Sequence, residues 1–170
     1  MRTSVIIPTF NSSETIKLSL NSAITQTLQP YEIIVIDDCS NDNTKEICQE
    51  VLRDTEIKSK VISTERQGGP SLARNIGWSL ASGDWIAFLD ADDIWSDLKL
   101  EVISRFINSN TILLAHNYSE RKLADHKIKL NPVKEKVISY KRLLFANKFS
   151  TPAVILNSRL KDRFNEDIIY

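Results

Sequence analysis

The sequence has little cysteine, no excess of either charge and no long apolar run, and each of these absences excludes a class of protein. Its only cysteines among 170 residues, Cys39 and Cys48, lack metal-ligand spacing and are too few for a disulfide scaffold. Lys plus Arg and Asp plus Glu both total 22, so the net charge gives no reason to expect a nucleic-acid partner. No apolar run reaches the roughly 20 residues of a membrane-spanning helix. We therefore expect a soluble, cytoplasmic protein.

The charged residues are nevertheless unevenly distributed along the chain. From Arg121 to Arg163 there are 12 basic and 3 acidic side chains. Such a segment can attract an anionic lipid-diphosphate acceptor or the inner face of a membrane. It can equally be a solvated face, because no strong amphipathic helix accompanies the charge. Peripheral membrane contact is therefore one of two interpretations.

Short apolar runs alternate with helical patterns, which is typical of βαβ units and predicts an α/β fold with a mainly parallel sheet. The predicted strands are Ser4–Pro8, Glu32–Asp38, Val61–Ser63, Trp85–Asp90, Thr111–Asn117 and Pro152–Leu156. A first helix follows from Ile16, Leu20, Ala23 and Ile24, with Ser12 or Ser13 as its cap, and a second is predicted at about Thr44–Leu52. We expect no repeats and one domain of ordinary size.

Three further helices are predicted from apolar spacing. One starts after the Gly68-Gly69 turn, with Pro70 at its first position and an apolar stripe of Leu72, Ile76 and Leu80. The next is capped by Ser96 and repeats Leu98, Val102 and Phe106. A short helix is expected at 140–147. Of the tryptophans, Trp78 and Trp85 are expected in the core, and Trp95 either there or beside a ligand pocket.

Three carboxylates, Asp90, Asp92 and Asp93, follow the fourth predicted strand. Each ionised pair repels by about 1 kcal/mol in water and by more in a cleft, so a positive partner should meet them. The Asp90-x-Asp92 spacing at a strand end suits Mg²⁺ or Mn²⁺, which takes few protein carboxylates and leaves sites for phosphate oxygens. Because ligand sites of open α/β sheets lie at the carboxyl ends of the strands, the residues after Pro8 and the pair Asp37-Asp38 should lie at the same edge.

Three segments occur in a distinctive order: SVIIPTFN, IIVIDDCSND and GGPSLARNIGWSLASGDWIAFLDADD. Over roughly the first 95 residues this combination resembles glycosyltransferase family 2 on the GT-A fold. The resemblance implies a Rossmann-like three-layer α/β/α architecture. It further implies a nucleotide-sugar-binding core in 1–117 and the start of an incomplete acceptor-side region in 118–170, which together form one compact domain.

The resemblance also implies roles for individual residues. Positions around the nucleotide base correspond to Pro8, Thr9, Phe10 and Glu14, with Asp38 as the acceptor for the uracil ring. On the diphosphate side it implies Arg74 beside the phosphates, Asp90 near the ribose and Asp92 as the metal ligand. Without the resemblance, Arg74 could simply pair with Glu65 or Asp84 on the surface.

The implied activity is transfer of a sugar from a nucleotide-sugar donor, with UDP as the expected nucleotide, to a saccharide or lipid-linked acceptor in polysaccharide or cell-surface glycan synthesis. Inversion and a divalent metal are implied as well. An inverting transferase needs a carboxylate base for the acceptor hydroxyl. In the family this base is the Asp of a Glu-Asp pair. Glu166-Asp167 is such a pair, but it lies where the family approaches that motif, so Asp167 is a candidate and the base is expected beyond Tyr170.

Three other functions share parts of this pattern. A haloacid-dehalogenase-type phosphatase also ends an apolar strand in DxD, but on its first strand rather than its fourth. A receiver-like signalling module would account for Asp37-Asp38, but Thr111–Asn117 supplies no strand-end lysine. A nucleotide-sugar-binding module without turnover stays open. The oligomeric state and the identity of the sugar are not predicted.

Overall fold

A computed structural model describes residues 1–111, 113–115 and 153–163 of the chain. In chain order its elements are β1 (Thr3–Thr9), α1 (Ile16–Ile24), β2 (Glu32–Asp37), α2 (Thr44–Arg53), β3 (Lys58–Ser63), α3 (Gly69–Leu80), β4 (Trp85–Phe88), α4 (Lys99–Ser104), β5 (Leu113–Ala115) and β6 (Val154–Asn157). A 3-10 helix follows at Ser158–Arg163. The helices among the described residues are all too short or too polar to cross a membrane.

The six strands of the described residues belong to one sheet, in the order β3-β2-β1-β4-β6-β5. The first four in that order run parallel, and β6 runs antiparallel to both β4 and β5. In the parallel part, Val5 of β1 is in register with Ile33 of β2 and Ala87 of β4. Each parallel strand is separated from the next by a helix, as βαβ connections require. The predicted mainly parallel sheet is confirmed.

Helices cover both faces of the sheet, because alternate residues of each strand face opposite sides. Val5 and Ile7 of β1 belong to a core cluster with residues of α1 and α2, among them Leu20 and Cys48. Ile6, between them, packs instead against Trp78 of α3. The result is the expected three-layer α/β/α arrangement.

The buried face of α3 differs from the predicted stripe. Leu72 and Leu80 are both 37% exposed, whereas the buried residues of this helix are Ala73, Gly77 and Trp78. A Cβ atom at Gly77 would lie only 2.4 Å from Cγ2 of Ile6. The helix therefore approaches the sheet through its small residues, and that close approach turns the larger leucines outward.

The segment leading into α4 also differs from the prediction. Leu98 is the N-cap of this helix and is 44% exposed, while Lys99, Leu100 and Ile103 are buried. The amide of Leu100 donates to Oε1 of Gln26 at 2.9 Å, which fixes α4 against the end of α1. Trp95 belongs to the core, and so do the two tryptophans that were predicted there.

Several predicted boundaries shift. The N-cap of α1 is Thr15, and neither predicted serine caps it with a side chain. Instead, the carbonyl of Ser12 accepts from the amides of Thr15 and Ile16 at 3.0 and 2.9 Å. Strand β3 starts three residues earlier than predicted, and β4 ends two residues earlier. Most of the basic segment Arg121–Arg163, the helix expected at 140–147 and Asp167 lie outside the described residues.

A buried carboxylate joins three strands at the amino-terminal edge of the sheet, opposite the predicted ligand edge. Oε1 of Glu32 accepts from the Ser4 hydroxyl at 2.7 Å and from the Ser82 amide and hydroxyl at 2.6 and 2.8 Å. Lys58 Nζ lies 3.5 Å from Oε2. Burial by itself would raise the pKa of Glu32, but these hydrogen bonds and Lys58 outweigh it and lower the pKa.

Candidate functional site

A cleft of about 480 Å³ opens at the carboxyl ends of β1 and β4. The segment after β1, the first turns of α3 and the acidic loop after β4 all line it. The lining residues are Pro8, Asn11, Ser12, Glu14, Thr15, Pro70, Arg74, Asp90, Ala91 and Asp92. Five of the predicted site residues therefore come together here: Pro8, Glu14, Arg74, Asp90 and Asp92.

The loop after β1 is fixed to the loop after β2. Asn11 has a φ of 47°, a left-handed conformation that Asn tolerates better than most residues. Its amide donates to Oγ of Ser40 at 2.9 Å, and its Oδ1 accepts from the amide of Asn41 at 2.8 Å. One wall of the cleft is thus held by contacts between residues about 30 positions apart in sequence.

Asp42 and Thr44 fix the next two residues of the same wall. The amide of Ser12 donates to Oγ1 of Thr44 at 2.7 Å, and the amide of Ser13 donates to Oδ2 of Asp42 at 3.1 Å. The Thr44 hydroxyl donates to Oδ1 of Asp42 at 2.5 Å. Because the Thr44 bond above all, together with those from Ser13, favours the ionised carboxylate, the pKa of Asp42 falls to about 2.

Asp38 holds the start of α3. Its Oδ1 accepts from Oγ1 of Thr64 and the amide of Gly68, both at 3.0 Å. Its Oδ2 accepts from the amides of Gly68 and Gly69 at 3.1 and 2.7 Å. The residue is only 3% exposed and does not line the cleft. Asp38 therefore acts on the cleft through the start of the helix that carries Pro70 and Arg74.

Two other predicted base-side residues also lie outside the cleft lining. Thr9 is buried, and its hydroxyl has no hydrogen-bond partner among the described residues. Phe10 is 40% exposed. Both belong to the same segment as Pro8 and Asn11, so they flank the cleft at the end of β1 without lining its wall.

The acidic loop meets the positive partner that its charge requires. Arg74 of α3 donates to Oδ1 of Asp90 at 2.5 Å, and both side chains are largely buried. The carbonyl of Asp90 accepts from Oγ of Ser19 at 3.1 Å, which ties the loop to α1. Arg74 thus pairs with a carboxylate of the cleft and not with Glu65 or Asp84.

A second cation, Lys99, lies near the acidic loop without lining the cleft. Nζ of Lys99 is 3.7 Å from the centre of the Trp95 ring, within the range of a cation–π interaction. Burial lowers the pKa of the Lys99 ammonium, and the nearby Asp93 carboxylate opposes this shift. Burial also raises the pKa of Asp93, as do Asp90 and Asp92, while Lys99 acts in the opposite direction.

Asp92 differs from Asp90 because Arg74 does not pair with it, and from Asp93 because it lines the cleft. It is exposed, lines the cleft and has no hydrogen bond or ion pair to any residue that the structure describes. Those same residues contain no cluster of three or more His, Cys, Asp or Glu side chains placed around a metal. A Mg²⁺ or Mn²⁺ ion in a nucleotide site needs only one or two carboxylates, because substrate phosphates supply further oxygens. Asp92 fits such an ion.

The sequence interpretation missed part of this site. Asn11, Ser12, Thr15 and Pro70 line the cleft, and the signal for the first three was a polar run directly after a strand. Lys99 gave no signal of its own, since one lysine in a helical pattern resembles any other.

The comparisons with known proteins agree with this geometry. The profile of the family described as "Glycosyl transferase family 2" matches residues 4–159, and the chain belongs to this family. It is 33% identical over 168 residues to the UDP-Glc:alpha-D-GlcNAc-diphosphoundecaprenol beta-1,3-glucosyltransferase WfgD of Escherichia coli, covering 98% of this chain and 64% of WfgD.

Two solved structures extend the comparison. S. aureus TarS in complex with UDP-GlcNAc superposes with a TM-score of 0.76 at 29% identity, over 100% of this chain and 48% of that one. The mannosyltransferase PcManGT from Pyrobaculum calidifontis, in complex with GDP-Man and Mn²⁺, gives a TM-score of 0.72 over 98% of this chain and 48% of that one, at 17% identity. The second likeness supports the fold alone.

The chain thus spans less than two thirds of the curated relative and about half of the TarS chain. The family match confirms the resemblance and the GT-A fold class. It does not favour the phosphatase alternative.

Proposed function

We propose that this chain forms the donor side of a glycosyltransferase that transfers a sugar from a UDP-sugar, with inversion, to a saccharide or lipid-linked saccharide in glycan synthesis. The observation that carries the proposal is the exposed Asp92, which lines the cleft and has no partner among the described residues. The carboxylate of Asp90, by contrast, forms an ion pair with Arg74. WfgD is named for its UDP-Glc donor and the TarS structure is a complex with UDP-GlcNAc, which supports the choice of nucleotide.

Each predicted site residue, in the cleft lining or beside it, has a role in this proposal. Pro8, Thr9, Phe10 and Glu14 surround the nucleotide base, and Asp90 lies near the ribose. Asp38 accepts a hydrogen bond from the uracil ring, and it also holds the start of α3 through the amides of Gly68 and Gly69. Arg74, held at the wall of the cleft by Asp90, places a guanidinium beside the diphosphate, where charge accumulates as the sugar leaves.

Asp92 would hold the divalent cation. When bound, Mg²⁺ or Mn²⁺ would supply Lewis-acid stabilisation to the diphosphate leaving group. The carboxylate itself would direct the ion toward the cleft, because Asp92 lines the cleft close to Asp90, which Ser19 and Arg74 hold in place.

The acceptor side belongs to the same proposal. The acceptor hydroxyl must lose its proton to a carboxylate base, and Asp167 or an acidic residue of a longer chain would take this role. A lipid-linked acceptor, such as the diphosphoundecaprenol-linked one in the name of WfgD, would be met at the cytoplasmic face of the membrane, where the basic segment from Arg121 would contact it. Residues 118–170 would begin this acceptor side.

The donor proposal is tested by calorimetric titration of UDP, GDP and dTDP with Mn²⁺ and with EDTA. We expect UDP to bind, and to bind more tightly with Mn²⁺. Asp92→Ala should abolish the metal-dependent part of the affinity, because the ion loses its charged protein ligand. The matched control is Asp84→Ala, since Asp84 is exposed at the opposite edge of the sheet. Equal UDP affinity with Mn²⁺ and with EDTA in the wild type would refute the metal assignment.

The base is tested separately by transfer assays with this chain and with a longer version, where the gene encodes one. We expect both versions to bind UDP, and transfer to require a carboxylate base on the acceptor side. Full transfer by the short chain, lost in Asp167→Asn with UDP affinity unchanged, would assign the base to Asp167. Donor binding without transfer in both versions would favour a binding module.

A further inference from the structure

The wall of the cleft that follows β1, residues 11–15, is held by a single loop. Three successive amides of this wall donate to three side chains of the loop: Asn11 to Ser40 at 2.9 Å, Ser12 to Thr44 at 2.7 Å and Ser13 to Asp42 at 3.1 Å. Four residues of the wall line the cleft, whereas residues 40–44, all of which the structure describes, lie outside its lining. The loop thus fixes the wall without lining the cleft itself.

Asp42 and Thr44 act on the wall as one unit. Thr44 is fully buried at the start of α2, and its hydroxyl donates to Oδ1 of Asp42 at 2.5 Å. A hydroxyl has one proton to donate, so the same oxygen meets the amide of Ser12 only as an acceptor. The other carboxylate oxygen, Oδ2, accepts from Ser13. Both oxygens of Asp42 are therefore needed to hold two neighbouring amides of the wall.

The wall also contains a conformation that depends on these contacts. Asn11 has a φ of 47°, and backbone in this region persists where the surrounding structure fixes it. Its neighbours in the loop supply that restraint, since its Oδ1 accepts from the amide of Asn41 at 2.8 Å. A loop that loses its hold on Ser12 and Ser13 would let the wall change shape from Asn11 onward.

We propose that Asp42, acting with Thr44, is a positioning residue for base recognition: it holds residues 11–15 in the shape that selects the nucleobase of the donor, without touching the donor itself. This inference rests on the nucleotide-sugar function proposed above. It assigns a part in nucleotide selectivity to a loop outside the cleft lining.

The two ends of the nucleotide should respond differently to the loss of Asp42. In the proposed function the base lies beside Pro8, Phe10 and Glu14, next to this wall, whereas the diphosphate and the cation belong to Arg74 and Asp92. A loosened wall removes contacts that favour one base over another, because selectivity is a difference between two affinities. Metal dependence should stay unchanged. General destabilisation lowers the fraction of folded protein, which affects every nucleotide alike.

The experiment measures two ratios by calorimetry. The base ratio is the affinity for UDP divided by that for GDP, both in saturating Mn²⁺, with GDP measured by displacement if it binds weakly. The metal ratio is the affinity for UDP in Mn²⁺ divided by that in EDTA. Asp42→Asn keeps the shape but has one side-chain oxygen in place of two. We expect it to lower UDP affinity and the base ratio by about three- to tenfold, because the site is no longer preorganised, and to retain the metal ratio.

A matched pair of variants tests the same unit at Thr44. Thr44→Val removes the hydroxyl at nearly the same shape and should lower the base ratio as Asp42→Asn does. Thr44→Ser keeps the hydroxyl and should retain the wild-type base ratio. This pair decides the question if Asp42→Asn does not fold. The control is Asp54→Asn, the same chemical change at the exposed C-cap of α2, which should leave both ratios unchanged.

The possible failures are distinguishable. If the wild type binds no UDP under either condition, the proposed function is refuted and this inference with it. If the wild type binds UDP but does not prefer it to GDP, or if Asp42→Asn and Thr44→Val leave the base ratio unchanged, only the role of Asp42 is refuted. A metal ratio that falls together with the base ratio would also overturn it, because the change would then extend to the whole cleft.

Discussion

Replacement of Glu32 by Gln tests whether the buried carboxylate at the amino-terminal edge of the sheet stabilises the fold. Glu32 is 1% exposed, and its Oε1 accepts three hydrogen bonds from Ser4 and Ser82. Hydrogen bonds to a charged group contribute about 1 kcal/mol more than neutral ones, so three of them amount to about 3 kcal/mol. Gln also avoids part of the cost of burying a charge. We expect a net loss of about 1–2 kcal/mol at pH 7.

Replacement by Ala should cost more than replacement by Gln. Without an acceptor, the Ser82 amide and the Ser4 hydroxyl lose their buried partner, and each unsatisfied group costs about 1–3 kcal/mol. We therefore expect Glu32→Ala to lose about 3–5 kcal/mol in total. Because the cluster lies at the edge opposite the cleft, UDP affinity should be unchanged in Glu32→Gln, which separates stability from function.

The pH dependence of this effect has a definite sign. The pKa of Glu32 is lower in the folded chain than in the unfolded one, so its stabilisation is fully present above the ordinary glutamate range and is lost as the pH falls through the folded value. The assay is urea denaturation of the wild type and Glu32→Gln at pH 7 and at about pH 4. A stability gap that stays constant, or a glutamine variant more stable than the wild type at pH 7, would refute the reasoning.

Two further predictions concern packing and the cleft wall. Gly77→Ala should reduce the free energy of unfolding by about 1–2 kcal/mol, because the added methyl group overlaps Ile6. This cost exceeds the gain of about 1 kcal/mol that alanine brings in helix propensity. A variant that is more stable than the wild type in urea denaturation would contradict the prediction. Asp42→Asn should lower Tm at pH 7, and the difference in Tm from the wild type should shrink as the pH falls toward the Asp42 pKa of about 2. A Tm difference that stays the same from pH 7 down to about pH 3 would contradict a stabilising role of the Asp42 carboxylate.

The sequence predicts the fold better than it predicts which faces are buried. The apolar runs at β1, β2 and β4 identify the parallel sheet because buried strands are nearly continuous in apolar residues. The predicted buried face of α3 was wrong. Leucines dominate an apolar pattern over Ala73 and Gly77, whereas the short distance between Gly77 and Ile6 decides which side of the helix is buried. No local pattern contains that distance.

The residues of the candidate site could be predicted from the sequence, but the contacts that position them could not. The acidic loop and Arg74 were found because their residue types and order are those of a known family. The contacts that hold them join residues far apart in sequence: Asp38 to Gly69, Gln26 to Leu100, and Ser19 to Asp90. Such pairs become visible only when the chain is folded, since local spacing carries no information about them.

The position of β6 constrains when this sheet can be completed. β6 lies between β4 and β5, although β5 precedes it in sequence by about 40 residues. As the chain leaves the ribosome, β1 to β4 can already associate, but the outer edge of β4 stays unpaired until Ile155 and Leu156 arrive to meet Ala87 and Ile86. A nascent or truncated chain ending before Val154 would present that edge to other chains, where unpaired strands aggregate.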